Sequence, residues 1–106
     1  MRNSDRFTEK ARRAIALAQD CAAELGHSYV GTEHLLFGIA AEGEGLGAKL
    51  LRDAGADRRL IWEAIEHSVG RGAPGRPAQG LTPRAKRVIE LAAQDAARQG
   101  HSYVGT

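Results

Sequence analysis

From Thr8 onward the apolar residues recur at steps of three and four: Ala11, Ala14, Ile15, Ala18, Ala22 and Leu25. That spacing marks one face of an α-helix. Thr8 stands where an N-cap belongs, since its hydroxyl can accept from the free N–H groups of a first turn. Gly26 stands where a left-handed C′ residue closes a helix. A helix over 8–25 follows. The next pattern starts at Thr32 as cap and runs through Leu35, Leu36, Ile39 and Ala40 to a stop near Gly43, predicting a helix over 32–42. A third helix, 46–54, turns Leu50 and Leu51 inward and ends before Gly55. Asp57 caps a fourth, 57–69, with Ile61, Ala64, Ile65 and Val69 apolar and Trp62 on the flank. The fifth, 82–99, has Thr82 as cap and Pro83 at the first helical position, where the missing N–H costs nothing. Its stripe is Ala85, Val88, Ile89, Ala92 and Ala96, and Gly100 ends it. The expected fold is all-α.

The fifth helix repeats the first. Residues 7–32, FTEKARRAIALAQDCAAELGHSYVGT, align without a gap on residues 81–106, LTPRAKRVIELAAQDAARQGHSYVGT. The offset is 74 (81 − 7), and fifteen of the 26 aligned positions are identical, GHSYVGT entirely so. This is an internal duplication. Between the copies lies GRGAPGRPAQG, residues 70–80, whose Gly and Pro content reads as a linker. The expected organisation is a first repeat of four helices over 1–69, the linker 70–80, and a second repeat over 81–106 reduced to about one helix.

Composition narrows the class. The 42% hydrophobic and 26% charged content is that of a globular protein. Two Phe, two Tyr and one Trp leave a core of aliphatic and alanine side chains, which suits close-packed helices. The net charge of +2 is spread along the chain, unlike the massed basic face of a nucleic-acid binder. No apolar run approaches a membrane span. With one cysteine no internal disulfide can form, so a cytoplasmic setting is expected.

The stretches RFTEKARRAIALAQ, LGHSYVGTEHLLFGIAAEGEG and LTPRAKRVIELAAQDAARQGHSYVGT cover nearly all of residues 6–106. Together they resemble the N-terminal repeat domain of the Clp AAA+ unfoldases, most nearly the C type. The resemblance implies a pseudo-twofold pair of four-helix repeats, non-enzymatic, that docks adaptor and substrate proteins and, in C-type members, recognises phosphorylated arginine. The sequence departs from the family at Ser4, where a Phe is usual, and the second GTEHLL stops at Thr106.

On this resemblance the candidate ligand site centres on Glu33 and Thr32, with Thr8, Thr82, Thr106, Arg12 and Lys86 beside them. A carboxylate at the start of a helix favours the dipole whatever its function. It also suits a guanidinium fork, while a helix N-terminus suits an anion, and phosphoarginine carries both groups. The basic residues Lys10, Arg12, Arg13, Arg84, Lys86 and Arg87 oppose the dipole of their own helices; they form either a solvated face or a surface for phosphate or an acidic partner. The four His lack metal-ligand spacing, so no metal or cofactor is expected. Cys21 reads as a half-buried thiol, and GEGLGAK, from Gly43, as a turn between helices rather than a phosphate loop. No triad or acid–base pair appears, so no enzyme is expected. The alternatives are a small helical nucleic-acid binder or a free-standing relative competing for Clp ligands. A second repeat of one helix leaves part of its apolar stripe uncovered, so self-association, as a homodimer, is expected at high concentration.

Overall fold

The computed structural model describes residues 7–72, 78–98 and 104–105, with the backbone alone at 95–98. It contains five helices: α1 (Glu9–Glu24), α2 (Thr32–Glu42), α3 (Leu46–Asp53), α4 (Arg58–Val69) and α5 (Pro83–Arg98). Each falls within a residue of its expected bounds. The local capping chemistry accounts for that. Thr8 Oγ1 accepts from the Ala11 N–H at 3.1 Å, and Thr82 repeats the bond to Ala85 at 3.1 Å. Asp57 accepts from the Leu60 N–H at 2.9 Å. Gly26 and Gly43 follow α1 and α2 with φ of 74° and 82°, the left-handed region that glycine adopts without a Cβ penalty. Gly100 lies outside the described residues. Among the described residues there is no strand, only two isolated bridges.

The α1 stripe is built from alanines. Ala11, Ala14, Ala18 and Ala22 are buried, with Leu25 at the end, and together they give a smooth face that lets a second helix come close. Gly38 of α2 lies directly on it: a Cβ there would collide with the Ala14 carbonyl oxygen and stand 3.1 Å from the Ala18 methyl. From this seat α2 touches all four other helices. Cys21, Leu25, Ile61 and Ile65 form the core beneath, with Phe37, Leu51 and Trp62 packed around it. The Phe37 and Trp62 rings meet edge-on at 5.2 Å.

Burial departs from the pattern at several positions. Leu50 is 59% exposed, and Ala48 is the buried residue of α3. Ala48 and Leu51 are three residues apart on one line, and Leu50 is turned about 100° away from Leu51. In α2 the inward line is His34, Gly38 and Glu42, leaving Leu36 on the surface. Ala64 and Val69 of α4 are exposed while Ile61 and Ile65 are buried. Cys21, expected half-buried, is fully buried, and Val88 of α5 is exposed.

The duplication appears as paired contacts between the copies. Phe7 bridges to Val104, and Val30 bridges to Leu81, both in parallel sense. Adding the offset of 74 turns Phe7 into Leu81 and Val30 into Val104, so the two bridges are one contact seen twice. The Thr8 N–H donates to the Val104 carbonyl at 2.9 Å, and the Thr82 N–H donates to the Val30 carbonyl at 2.8 Å. Each copy thus pairs its helix start with the other's GHSYVGT loop. The described ends of the 70–80 segment are also tied to copy one. Gly72 N–H donates to the Leu25 carbonyl and Gln79 N–H to the Ser28 carbonyl, both at 2.8 Å.

Gly38→Ala is expected to lower the unfolding free energy by about 1–3 kcal/mol through overpacking against the α1 backbone. This runs against the roughly 1 kcal/mol that alanine gains over glycine in helix propensity. Urea denaturation measures the net sign; a stabilised variant would mean that the two helices have room to part.

Candidate functional site

The start of α2 holds two residues of the expected site, Thr32 and Glu33. Gly31, with φ −99° and ψ −178°, is the N-cap, so Thr32 is the first helical residue rather than the cap, and Glu33 is the second. His34, third in the helix, does what a Gln or Glu does at that place in a capping box. Its Nδ1 accepts from the Gly31 N–H at 2.8 Å. The imidazole thus satisfies the N–H of the cap residue itself, while Gly31, lacking a side chain, offers no acceptor to the first-turn N–H groups.

His34 is 2% exposed and continues the chain of bonds on its other side. Its Nε2 lies 2.7 Å from His27 Nδ1, and His27 Nε2 lies 2.7 Å from the Gly70 carbonyl oxygen. One assignment of protons satisfies all three contacts. A backbone N–H can only donate and a carbonyl can only accept, so both rings are neutral and carry their proton on Nε2. The relay joins the start of α2, the loop after α1 and the end of α4. Burial holds His34 below the ordinary histidine range, Glu33 pulls it up, and His27 pushes it further down.

Glu33 is half-buried, and its carboxylate folds back over Gly31, into the space that a side chain would fill there. Its Oε1 lies 3.4 Å from His34 Nδ1; since that nitrogen accepts from Gly31, the contact carries no proton. Among the described residues no Lys or Arg pairs with Glu33. The Val30–Leu81 bridge brings Thr82 alongside the stretch leading into Thr32, and exposed Lys86 follows Thr82 one turn on in α5.

Thr8 and Arg12 belong instead to the place marked by the Phe7–Val104 bridge. Arg12 there makes an exposed pair with Glu9 at 3.6 Å. Thr106 lies outside the described residues. The expected set therefore divides into two places related by the repeat.

Two further features were not found from sequence. An apolar cleft of ≈ 220 Å³ opens between α1, α2 and α5, with Phe7, Ile15, Leu35, Val88 and Ile89 in its walls. Glu42, the last residue of α2, is buried, and its Oε1 reaches into the following turn to accept from the Gly45 N–H at 2.6 Å. The His relay was also missed. Its one sequence signal is a His at the place where capping boxes carry Glu or Gln. Burial first, then Glu24 and Glu33, push the Cys21 thiol up to about 12, which leaves it protonated and unsuited to nucleophilic chemistry. Among the described residues no three His, Cys, Asp or Glu side chains are grouped to hold a metal. Among the described residues no helix is long and apolar enough to cross a membrane.

Two copies of a helical repeat, zipped by reciprocal bridges and presenting a polar helix start beside an apolar cleft, define a duplicated interaction domain. The family model described as the Clp repeat (R) N-terminal domain matches residues 6–106, and the chain belongs to that family. Its N-terminal domains are non-catalytic interaction modules.

The chain is 48% identical over 101 residues to the negative regulator of genetic competence ClpC/MecB of Bacillus subtilis (strain 168), covering 95% of this chain and 12% of that protein. Identity to the chaperone protein ClpB of Oceanobacillus iheyensis is 46% over 101 residues, again 95% and 12%. The chain thus spans 12% of the length of these relatives. Among solved structures, the N-terminal domain of the chaperone ClpD from Arabidopsis thaliana superposes with a TM-score of 0.77 at 29% identity, covering 95% of this chain and 70% of that one. The N-terminal domain of the ClpV1 ATPase from E. coli gives 0.74 at 20% identity, over 96% and 63%, a likeness of fold.

His34→Ala is expected to cost about 1–3 kcal/mol, because it leaves a buried Gly31 N–H without an acceptor. The pH dependence has a definite sign. A histidine held below its unfolded value contributes stability that is present above about pH 6.5 and lost as the pH falls through the folded value, because the unfolded chain takes up the proton first. Urea midpoints measured at falling pH should drop in the wild type, and a flat profile would mean that His34 is not held neutral by the fold.

Proposed function

We propose that this chain docks adaptor and substrate proteins for a Clp-type ATP-driven unfoldase, and that the start of α2 reads arginine phosphorylated on its guanidinium. The supporting observation is the state of Glu33. A half-buried carboxylate without a Lys or Arg partner among the described residues can accept from a guanidinium. The α2 N-terminus offers the positive end of its dipole to the attached phosphoryl group, and Thr82 and Lys86 come from the facing copy. Thr8, Arg12 and Thr106 would serve the equivalent place at the other end. The apolar cleft offers a partner protein a place for aliphatic side chains. One buried, unpaired cysteine suits a reducing compartment such as the cytoplasm.

The test is calorimetry with free phosphoarginine against wild type and Glu33→Ala. Loss of a charged hydrogen-bond partner at about 1.5–3 kcal/mol corresponds to at least a tenfold weaker affinity. Equal affinities would remove Glu33 from the site. Binding of DNA or RNA that falls steeply with salt, without selectivity for phosphoarginine, would favour the nucleic-acid alternative.

The same reading includes self-association. Val88 and Leu91 of α5 are 46% and 45% exposed, and aliphatic side chains left in water forgo about 1.5–3 kcal/mol each. Sedimentation at rising concentration is expected to show a dimer; a monomer throughout, with α5 protected from hydrogen exchange, would exclude it.

A further inference from the structure

We propose that His34 is the positioning residue of the α2 site and closes it on protonation, by releasing the Gly31 N–H and drawing the Glu33 carboxylate onto its own Nδ1. The proposal rests on the reading of Glu33 as the acceptor for a guanidinium.

The argument starts from proton positions. In the neutral relay His34 Nδ1 is a bare acceptor and the Gly31 N–H fills it at 2.8 Å. A proton added to His34 must go to Nδ1, because Nε2 already carries one toward His27 at 2.7 Å. Two N–H groups then face each other, and the Gly31 bond is lost. A proton arriving at His27 ends in the same place. His27 Nδ1 becomes a donor, His34 Nε2 must become the acceptor, and the His34 proton moves to Nδ1. Wherever the relay is charged, the N–H appears at His34 Nδ1.

An acceptor waits there. Glu33 Oε1 is 3.4 Å away and becomes the partner of the imidazolium. A carboxylate bound to His34 is no longer free for a ligand's guanidinium, and the Gly31–Thr32 turn loses the bond that fixes it.

The other ionisable groups near the relay do not supply a competing partner. Cys21 of α1 stays protonated, with its thiol at about 12. Glu24 acts on Cys21 and is exposed. At the Gly70 end, Glu66 of α4 is paired with Arg71 at 3.2 Å, and His67 is exposed.

The experiment is an NMR titration of the whole chain from about pH 8 to pH 5, the range in which histidine titrates. It follows the His27 and His34 ring nitrogens, the Gly31 amide and the Glu33 carboxyl carbon. Both rings are expected as Nε2–H tautomers at high pH. As His34 takes its proton, the Gly31 amide and the Glu33 carboxyl should move with the same midpoint. In His34→Gln the side-chain carbonyl can keep the Gly31 bond without titrating, and the Gly31 response should disappear. If that variant does not fold, the wild-type titration still decides.

The binding arm compares phosphoarginine affinity at about pH 7.5 and pH 5.5. Wild type should lose at least about threefold more than His34→Gln, which corrects for the ligand's own titration. A Gly31 amide indifferent to His34, an Nδ1–H tautomer at high pH, or unfolding before His34 is protonated would each overturn the proposal. Equal losses in the two proteins would do the same. No binding at pH 7.5 with the Gly31 and Glu33 responses intact would reject the phosphoarginine reading and leave the relay standing.

Discussion

The contact between Gly38 and the backbone of α1 is the constraint on which the other elements depend. A helix pair can approach this closely only where side chains are short on both sides, and here an alanine face meets a glycine. The individual contacts are weak, on the order of 0.1–0.2 kcal/mol per atom pair, but the close approach multiplies them. It also sets the position of α2, which touches every other helix. One turn before Gly38 stands His34, so the same approach that buries the glycine buries the imidazole. The geometry of the polar site is therefore a consequence of an apolar packing choice four residues away.

What could be read from the sequence was what is decided locally. Thr8, Asp57 and Thr82 cap their helices with bonds three residues long, and such bonds are implicit in the order of residues. The duplication was visible for the same reason. Burial was less legible where two leucines are adjacent, as at Leu50 and Leu51, because only tertiary packing selects between neighbours about 100° apart. The His relay was hidden for a stronger reason. Gly70 is 43 positions from His27, and nothing in either segment announces the other. Glu33 and Thr32 were found through family likeness, and their shift by one place relative to the cap follows from His34, whose role sequence did not disclose.

The two copies have diverged unevenly. GHSYVGT is unchanged between them, whereas Cys21 and Leu25, which pack on Ile61 and Ile65, correspond to Asp95 and Gln99. The residues that form the reciprocal bridges are thus retained in kind, and those that anchor a covering helix are not. Polar side chains at the equivalents of two core positions cannot contribute the same burial energy. Symmetry in this molecule belongs to the seam between the copies more than to the interiors.

The Phe7–Val104 bridge closes the chain on itself. Beside it, the Thr8 N–H and the Val104 carbonyl, 96 positions apart (104 − 8), share a hydrogen bond, so the backbone traces a ring with a narrow gap. In a ring, the order in which segments are connected matters less than which segments touch. A short peptide could span that gap, and new ends could be opened at Gly55, whose turn between α3 and α4 has nothing within 4 Å of the place a side chain would occupy. The chain re-cut in this way would begin with α4 and finish with α3, while keeping the seam, the α1–α2 crossing and the histidine relay within one continuous stretch.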